Sequence, residues 1–553
     1  MKVLIVGGVA GGATAAARIR RLDENAEIVI YERSGYVSYA NCGLPYYIGD
    51  EILDDNALTL QTPKSFYTRY NINVKINHEV IDIIPDMKLI KVKDLLTGDV
   101  FTDNYDKLLL SPGAKPITLD FLTKPVKNVF TLRTVEDTYR IKEYLNLKRP
   151  PNVAIIGGGF VGVEMADNIN KLGIDVTIIQ KDKQLLSIYD RDIISFIHNH
   201  VRSKNVKLLL DTNVISFESK EDKIIINLDS DTNLEFDVVL ISIGVEPENH
   251  LAINAGLKLG VKGSISVNEK METSVKDIYA VGDAVEITHN VLNEKRVITL
   301  AAPANKQARV AASNICGIDS EYKGSISSSV IKVFDMTAAI TGINEKEAKR
   351  LNIDYEKVIL SPANHATYYP GAKPLTLKVL YDKKTLDILG AQAVGYEGVD
   401  KRIDVIATAI FANLKVDMLK DLDLVYAPPY SSAKDPVNMA GFIIDNIING
   451  VVKQFSYDDL ENLRQEKDVI LLDTRTVKEY SRGHALSFTN IPLDELRDNL
   501  HLLDKSKKIY VMCQSGLRSY LATRILVQNG FDAYNFIGGY KLYSSIKQDE
   551  ISH

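Results

Sequence analysis

Two stretches of the chain share one pattern of positions: a short apolar run, a cluster of glycines, a longer segment and a second apolar run. Short apolar runs bounded by turns are typical of buried strands, and the longer segments between them predict helices. The first stretch predicts strand, helix and strand at Lys2–Val6, Ala13–Leu22 and Glu27–Tyr31. The second predicts the same elements at Val153–Ile156, Val163–Leu172 and Val176–Ile179.

The glycine clusters point to nucleotide binding. Glycines between a strand and a helix allow a tight turn and let a phosphate approach the helix N-terminus. Residues 157–162 match the pattern G-x-G-x-x-G fully, whereas Val9 replaces one glycine in residues 7–12. Two such units in one chain suggest two nucleotides, with electrons passing between cofactors.

The residues that end the two units differ in charge. Glu32 falls about 20 residues after the first turn, where a carboxylate can accept hydrogen bonds from ribose hydroxyls. The second unit ends in Gln180 and Lys181, which tolerate a 2′-phosphate. The second site is therefore predicted to favour NADPH, with NADH left open.

Two further patterns place polar or reactive residues at strand ends. In the first, Ile278–Val281 predicts a strand that leads into Asp283, whose carboxylate could accept hydrogen bonds from a sugar-alcohol chain.

In the second, the alternation of strands and helices restarts beyond the turn at Asn449 and Gly450, with strands predicted at Asp468–Leu472 and Ile509–Met512. The last strand runs into Cys513, where loop N–H groups and a helix N-terminus would stabilise a thiolate or persulfide.

Cys42, in the segment Ser38–Pro45, follows the first nucleotide unit, and the next cysteine in the chain is Cys316. A dithiol flavoenzyme would carry a second cysteine a few residues away. If Cys42 reacts, its sulfur partner is therefore expected to come from outside the chain or from a distant domain. Cys316 lies in no motif and is predicted to be structural.

Composition narrows the class of protein. The 553 residues predict about three to four domains, and the net charge of −6 gives no indication of nucleic-acid or membrane-surface binding. Three cysteines cannot form a disulfide framework, which favours a reducing compartment. The N-terminal apolar run is too short for a signal peptide, and no run approaches the ~20 residues of a membrane span. A cytoplasmic protein without a metal site is predicted.

The two glycine clusters, with Leu108–Gly113, Ile241–Pro247 and Thr273–Asp283, resemble the FAD-dependent pyridine nucleotide-disulfide oxidoreductases. The resemblance implies an FAD domain (1–115 with 250–325), an NAD(P)H domain (116–249) and an α+β dimerisation domain (326–445), the nucleotide domains being Rossmann-like. It also implies nucleotide ligands. FAD would be held by Gly7, Gly12, Glu32 and Asp283, and NAD(P)H by Gly157, Gly159, Gly162 and Glu164.

The segment around Cys42 is similar to the single-cysteine branch of that superfamily, which includes coenzyme A-disulfide reductases, persulfide reductases, NADH oxidases and NADH peroxidases. The paired-cysteine branch has a second cysteine separated from the first by four residues. Val37 and Tyr47 occupy those positions here, so that disulfide is excluded. A helix start or another positive field beside the flavin is expected to lower the pKa of the Cys42 thiol.

Residues 363–371 and 425–431 look like the tyrosine segments of coenzyme A-disulfide reductases. The resemblance implies a homodimer in which Tyr368 and Tyr426 of one subunit reach the sulfur of the other, where a phenol could donate a proton to the leaving thiolate. Coenzyme A carries phosphates and needs cations. Three arginines cluster on the first helix, Arg18, Arg20 and Arg21. By resemblance, coenzyme A would contact Thr14, Arg18, Arg21, Ser38, Asn41 and Lys434.

Residues 455–553 look like an α/β rhodanese domain, on Asp473-Thr474-Arg475, Gly483-His484 and the loop Cys513-x-x-Gly-x-Arg518-Ser. Four residues separate Cys513 from Arg518, one fewer than in cysteine phosphatases, which favours sulfur transfer. Cys513 and Arg518 are the predicted catalytic residues of this domain.

The leading hypothesis is an FAD-dependent NAD(P)H oxidoreductase that reduces coenzyme A disulfide, coenzyme A persulfide or polysulfide through Cys42. The rhodanese-like domain would handle sulfane sulfur and exchange it with low-molecular-weight thiols. Coenzyme A could be a substrate or a tightly bound cofactor. The alternative is an NADH oxidase or peroxidase that cycles Cys42 as a sulfenic acid. A third reading is a redox sensor or sulfur-trafficking scaffold without turnover.

Overall fold

The computed structural model describes residues 1–124 and 126–552. Pro125 and His553, which belong to the predicted NAD(P)H and rhodanese-like domains, lie outside the described residues. The chain forms two compact units. The first consists of Met1–Leu185 and Asn205–Ser327, and the second consists of Leu186–Lys204 and the chain from Ser328 onward.

The strands, in chain order, are β1 (Lys2–Val6), β2 (Glu27–Tyr31), β3 (Asn73–Lys75), β4 (His78–Ile84), β5 (Leu89–Asp94), β6 (Val100–Asn104), β7 (Lys107–Leu110), β8 (Ala114–Pro116), β9 (Val129–Thr131), β10 (Asn152–Ile156), β11 (Asp175–Ile179), β12 (Lys207–Leu209), β13 (Val214–Lys220), β14 (Lys223–Leu228), β15 (Asn233–Phe236), β16 (Val238–Ile241), β17 (Val245–Pro247), β18 (Ile278–Ala280), β19 (Glu286–His289), β20 (Glu294–Val297), β21 (Ser329–Val333), β22 (Met336–Gly342), β23 (Tyr355–Leu360), β24 (Thr376–Asp382), β25 (Ile388–Gly395), β26 (Lys453–Phe455), β27 (Val469–Asp473), β28 (Thr489–Asn490), β29 (Lys508–Met512) and β30 (Ala533–Phe536).

The α-helices are α1 (Ala10–Leu22), α2 (Leu44–Ile48), α3 (Pro63–Tyr70), α4 (Val135–Lys148), α5 (Phe160–Lys171), α6 (Arg191–Ser203), α7 (His250–Asn254), α8 (Ala301–Ile315), α9 (Glu345–Arg350), α10 (Val399–Phe411), α11 (Pro436–Ile448), α12 (Leu460–Leu463), α13 (Val477–Ser481), α14 (Leu517–Gln528) and α15 (Gly539–Ile551). Short 3₁₀ turns at Asn41–Gly43 and Gly282–Ala284 matter for the site described below.

Each nucleotide-like unit lies in a parallel five-stranded sheet of the first compact unit. The strand order is β18-β7-β1-β2-β3 in one sheet and β12-β11-β10-β16-β9 in the other. Strands buried on both faces read as continuous apolar runs, and Val3, Leu4 and Ile5 are fully buried accordingly. The carboxyl ends of parallel strands meet at one edge, which is where ligands bind in such sheets.

The second compact unit contains an antiparallel sheet, β21-β22-β25-β24-β23, and a parallel sheet, β26-β30-β29-β27-β28. Helices α10 and α11 pack on the antiparallel sheet through Val399, Ile403 and Val437. The predicted mixture of parallel nucleotide-binding sheets, an α+β portion and a C-terminal α/β portion is confirmed. No helix in the described part of the chain is long and apolar enough to cross a membrane.

The predicted strands and helix ends agree with the structure to within one residue, but both predicted helices begin three residues too late. Helix α1 begins at Ala10 and α5 at Phe160, so the last glycines of each cluster belong to the first helical turn. The first N–H groups of a helix have no partner within it, so glycine is tolerated there. Gly12 is required for close packing, because a Cβ at that position would lie 1.8 Å from the Gly7 carbonyl oxygen.

A buried charge cluster ties α6 to the antiparallel sheet. The Lys378 ammonium of β24 lies 2.8 Å from both Asp190 and Asp192, at the start of α6, and contacts Glu345 of α9. The three carboxylates lie within 4.8 Å of one another, a spacing that could hold a metal ion, but the ammonium is the cation among them. Burial lowers the pKa of Lys378, but the neighbouring carboxylates raise it by more. The net shift is upward, so the lysine stays charged.

We expect Lys378→Met to destabilise the protein by about 3–5 kcal/mol, because it leaves buried carboxylates without their cation. The measurement is the thermal unfolding of the full chain followed by circular dichroism. Lys420→Met is the matched control, since Lys420 pairs with Asp445 at a partly exposed site and the loss of that pair should cost far less stability. Equal shifts of the melting temperature in the two variants would contradict the assigned role of the cluster.

Candidate functional site

The first glycine turn brings the carboxyl ends of two strands against the start of α1. Gly7 has a φ of 89°, and a Cβ there would lie 2.2 Å from the Ser111 carbonyl oxygen, so only glycine fits. The buried carboxylate of Glu32, directly after β2, accepts hydrogen bonds from the Gly8 N–H at 2.8 Å and the Ser34 N–H at 2.9 Å. The turn and the carboxylate therefore form one rigid assembly.

A cleft opens at this edge of the sheet and collects five of the residues predicted for FAD, catalysis and coenzyme A. They are Gly7, Glu32, Asn41, Cys42 and Asp283. The cleft combines a glycine turn that leaves room for a phosphate, a carboxylate placed for ribose hydroxyls and a second carboxylate, that of Asp283. These donors and acceptors fit a dinucleotide such as FAD.

The second turn repeats this geometry with one change. Gly157 has a φ of 104°, and the Gly158 N–H donates to the Gln180 Oε1 at 2.7 Å, as Gly8 does to Glu32. A Cβ at Gly159 would meet no protein atom within 4 Å, so the space beside the N-terminus of α5 is open. Gly162 packs against the Gly157 carbonyl as Gly12 does against Gly7. This geometry fits a second nucleotide.

Glu164, on α5, is a half-buried acid in the same compact unit. Burial raises the pKa of its carboxyl to about 7, and a hydrogen bond from the Tyr46 hydroxyl at 3.4 Å only partly opposes this. The nearby carboxylate of Asp167 raises the pKa of Glu164 further. Glu164 therefore changes its charge close to neutral pH.

Cys42 lies in the 3₁₀ turn Asn41–Gly43, just before α2, and is exposed. The prediction that the pKa of the Cys42 thiol is lowered is wrong as far as the protein's own residues are concerned, because together they raise it. Partial desolvation of the thiol and the negative charges of Glu164 and Asp283 raise the pKa of Cys42 above its ordinary value of 9.0, whereas Arg133 opposes them. The five-residue helix α2 is too short to outweigh two carboxylates.

Arg133 is the residue of this cleft that the sequence reasoning missed. Its guanidinium lies 3.8 Å from Asp283 and donates to the Ala114 carbonyl at 2.9 Å. With its amide oriented to satisfy both groups, Asn41 accepts from the Arg133 Nη1 at 2.7 Å and donates to its carbonyl oxygen. The available signal was position, because Arg133 follows β9 at the carboxyl edge of a parallel sheet and precedes the capping box of α4.

The predicted coenzyme A contacts in the first unit lie on α1 and beside the cleft. The Thr14 hydroxyl donates to Asn305 at 2.6 Å, Arg21 is exposed, and the buried Nε of Arg18 has no hydrogen-bond partner within the described residues. Arg20 is not part of this basic face. It is 5% exposed and donates to the carbonyl oxygens of Tyr70, Asp23, Glu24, Ala26 and Asn71.

The tyrosines predicted for catalysis form a pair on the surface of the second unit. The hydroxyls of Tyr368 and Tyr426 lie 2.6 Å apart, although the two residues are 58 positions apart in the chain. Tyr368 is 74% exposed and Tyr426 is 46% exposed. Lys434, also predicted for coenzyme A, is exposed in this unit, and Ser38 lies in the first unit with a positive φ of 50°.

Cys513 lies where β29 ends and α14 begins. Its Sγ is buried and accepts hydrogen bonds from the Gly516 N–H at 3.1 Å and the Ser519 hydroxyl at 3.3 Å. The Nη1 and Nη2 of Arg518 each donate a hydrogen bond of 2.7 Å to the Glu479 carboxylate. Sequence reasoning assigned no role to Ser519 or Glu479. The signal for Glu479 was its capping box with Thr476.

Comparisons with known proteins agree with this arrangement. Residues 1–308 match the model of the pyridine nucleotide-disulphide oxidoreductases, and residues 328–436 match the dimerisation domain of that family. The chain belongs to the pyridine nucleotide-disulphide oxidoreductases. Residues 456–546 match the rhodanese-like domain. Both resemblances inferred from the motifs are thereby confirmed.

Three relatives are similar to this chain over most of its length. Coenzyme A disulfide reductase of Staphylococcus aureus is 37% identical over 442 residues, covering 80% of this chain and 99% of that one. The structure of reduced Bacillus anthracis CoADR-RHD is 45% identical with a TM-score of 0.96, covering 99% of this chain and 98% of that one. An NAD-dependent persulfide reductase from A. fulgidus is 36% identical with a TM-score of 0.92, covering 98% and 100%.

A more distant relative corresponds to the alternative function. A water-forming NADH oxidase from Lactobacillus brevis is 26% identical with a TM-score of 0.77, covering 82% of this chain and 99% of that one.

We expect Glu164→Gln to lower the pKa of Cys42, because it removes one of the two negative charges that raise it. The rate of Cys42 alkylation by iodoacetamide should then rise at lower pH than in the unaltered protein, as read by mass spectrometry of the Cys42 peptide. Arg133→Met should shift the profile the other way, since it removes the opposing positive charge. Coincident profiles for all three proteins would refute this electrostatic account.

Proposed function

We propose that the protein is an FAD-dependent NAD(P)H oxidoreductase that reduces coenzyme A disulfide and coenzyme A persulfide through Cys42. The observation that carries the proposal is that Cys42, which has no neighbouring cysteine in the sequence, lines the same cleft as Gly7, Glu32 and Asp283. A lone thiol has no local cysteine partner, so any disulfide it forms takes its second sulfur from a substrate or from a distant cysteine. The likeness to coenzyme A disulfide reductase and to a persulfide reductase supports this choice.

The residues of the first unit divide between two nucleotides. Gly7, Gly12, Glu32 and Asp283 would hold FAD. Gly157, Gly159, Gly162 and Glu164 would line the NAD(P)H site. Bound FAD supplies the relay that carries two electrons from the nicotinamide nucleotide to sulfur. Arg133 would keep the cleft compact by holding Asn41 and the carboxylate of Asp283.

The sulfur chemistry belongs to Cys42. Its thiolate attacks one sulfur of coenzyme A disulfide, the S–S bond breaks, and one coenzyme A thiolate leaves. The mixed disulfide of Cys42 with the second coenzyme A is then the oxidised state of the enzyme. With coenzyme A persulfide, attack on the inner sulfur forms the same mixed disulfide and releases hydrosulfide, whereas attack on the outer sulfur forms a Cys42 persulfide and releases the coenzyme A thiolate.

The exposed pair Tyr368 and Tyr426 suits proton donation to a leaving thiolate. The short bond between the hydroxyls leaves one of the two protons free to point outward. Their exposure on the second unit, together with the match to a dimerisation domain, supports a homodimer in which they serve the partner's Cys42.

Coenzyme A would be bound by the basic face of α1 and the rim of the cleft. Thr14, Arg18 and Arg21 would contact its phosphates, with Ser38 and Asn41 nearer to the sulfur. Lys434 would come from the partner subunit. Arginines are suited to this role because their guanidinium groups bind phosphate through two hydrogen bonds.

The nicotinamide site has no acid at the position that binds ribose in the first unit. Gln180 makes the same hydrogen bond as Glu32 but without its charge, and the exposed Lys181 and Lys183 follow it. Asp182 lies between these lysines, and its carboxylate accepts a hydrogen bond from the Gln180 Nε2 at 3.2 Å. With two lysines beside one acid, a 2′-phosphate would meet less repulsion there than beside Glu32. We propose that NADPH is accepted at least as well as NADH.

The anaerobic oxidation of NAD(P)H tests the proposal directly. We expect turnover with coenzyme A disulfide and coenzyme A persulfide, no turnover without an acceptor, and loss of turnover in Cys42→Ser because the nucleophile is removed. Cys513→Ser should change only the reactions with sulfane sulfur. Oxidation that occurs only in air would instead indicate the oxidase function, and the absence of any turnover would indicate a sensor or scaffold.

We expect Tyr368→Phe to lower kcat for coenzyme A disulfide by about 10- to 100-fold, within the range of general acid catalysis. Reduction of the flavin by NAD(P)H should be unaffected, because the tyrosine acts only on the leaving thiolate. Stopped-flow absorbance separates the two half-reactions. Tyr430→Phe is the matched control, since Tyr430 is 72% exposed near the pair. An equal loss in both variants, or none in either, would remove Tyr368 from the mechanism.

A further inference from the structure

Both arginines around Cys513 are neutralised by carboxylates. Arg475 donates from Nε and Nη2 to Asp473 at distances between 2.7 and 3.1 Å, in a pair that is fully buried. Arg518 makes two bonds of 2.7 Å with Glu479. Each of these ion pairs carries one positive and one negative charge, so neither adds a net charge beside the Cys513 loop.

The Glu479 carboxylate cannot easily turn away from Arg518. It is the acceptor of a capping box at the start of α13, where the backbone N–H and hydroxyl of Thr476 donate to it at 2.9 and 2.8 Å. These bonds and the arginine lower the pKa of Glu479 to about 2, so it stays charged at neutral pH. The neutralisation of Arg518 is thus a fixed property of the domain.

The remaining attraction for a sulfur donor is short-ranged. It comes from the Gly516 N–H and the Ser519 hydroxyl, which point at the sulfur itself. The segments that carry the ion pair also expose apolar side chains, with Leu517 at 67% and Val477 at 62%. Such surroundings suit a donor whose reacting end has an organic arm and little charge better than a small dianion.

We propose that Glu479 sets the donor specificity of the rhodanese-like domain, which takes sulfur from organic persulfides and discriminates against thiosulfate. The inference rests on the proposed sulfur-transfer role of Cys513. It goes beyond that role because it names the class of sulfur donor and the residue, Glu479, that selects it. Thiosulfate carries two negative charges and would need an unpaired cation to offset its desolvation. The persulfide group of an organic donor carries at most one, and the phosphates of coenzyme A lie at the far end of its pantetheine arm.

The transfer needs no other reactant. The Cys513 thiolate attacks the outer sulfur of R–S–SH, a new S–S bond forms at Cys513, and the bond to R–S breaks with its electron pair. Cys513 becomes a persulfide and R–S⁻ leaves as a thiolate. With thiosulfate, the same attack would expel sulfite.

The test compares the loading of Cys513 by two donors, thiosulfate and coenzyme A persulfide. The rate at which the Cys513 peptide of the full chain gains one sulfur atom is read by mass spectrometry, without NAD(P)H. We expect the unaltered protein to prefer the persulfide. Glu479→Gln keeps the hydrogen-bonding shape but frees the charge of Arg518, and should raise thiosulfate loading by roughly 10- to 100-fold. Persulfide loading should change by less than about threefold.

Two further variants separate specificity from structure. In Glu479→Gln combined with Arg518→Gln, the gain with thiosulfate should disappear, because the freed cation is gone. Glu461→Gln, which alters an exposed carboxylate paired with Arg464, should leave both rates unchanged.

The outcomes distinguish this inference from the proposed function. A preference for thiosulfate in the unaltered protein would overturn the inference even if Glu479→Gln failed to fold, and so would equal rates with both donors. An unchanged donor ratio in a folded Glu479→Gln variant would overturn it as well. No loading by either donor would instead overturn the sulfur-transfer role of Cys513.

Discussion

The buried ammonium of Lys378 is the interaction on which the second compact unit depends. Asp190 and Asp192 come from the start of α6, so the lysine fixes a helix that follows the second nucleotide-like pattern in sequence onto the antiparallel sheet. Helix α15 then packs on α6, where Asp549 contacts His198 and Arg202. Helix α15 begins beside the Cys513 loop, since Gly539 lies against Gln514 and Ser515. The loop is therefore connected to the charge cluster through α15 and α6.

The same rule of paired charge governs both reactive sulfurs. Near Cys42, Arg133 is opposed by Glu164 and Asp283, and near Cys513 each arginine has its own carboxylate. Neither sulfur is therefore activated by a strong unpaired cation of the described chain. Reactivity must come from short-range donors, as at Cys513, or from the groups that bind beside the thiol, as proposed at Cys42.

The sequence was sufficient to predict the features that depend on residues close together in the chain. Apolar runs located the strands and glycine spacing located the turns. Motifs selected Cys42, Tyr368 and Cys513, whose catalytic roles stay predictions. It was insufficient where a property depends on residues far apart in the chain. Lys378 meets carboxylates more than 180 positions earlier, and Arg518 meets Glu479 across 39 positions. The predicted pKa of Cys42 failed for this reason, since no local pattern reveals that Glu164 faces it.

The two nucleotide-like turns show why a fold leaves specificity undecided. Gly8 and Gly158 donate the same hydrogen bond, one to a carboxylate and the other to an amide, at 2.8 and 2.7 Å. The backbone needs only an acceptor oxygen there, so the turn is equally stable with Glu32 or Gln180. What differs is charge, and charge decides whether a ribose hydroxyl or a ribose phosphate is tolerated. At this position geometry preserves the turn, whereas the charge is free to differ between the two sites.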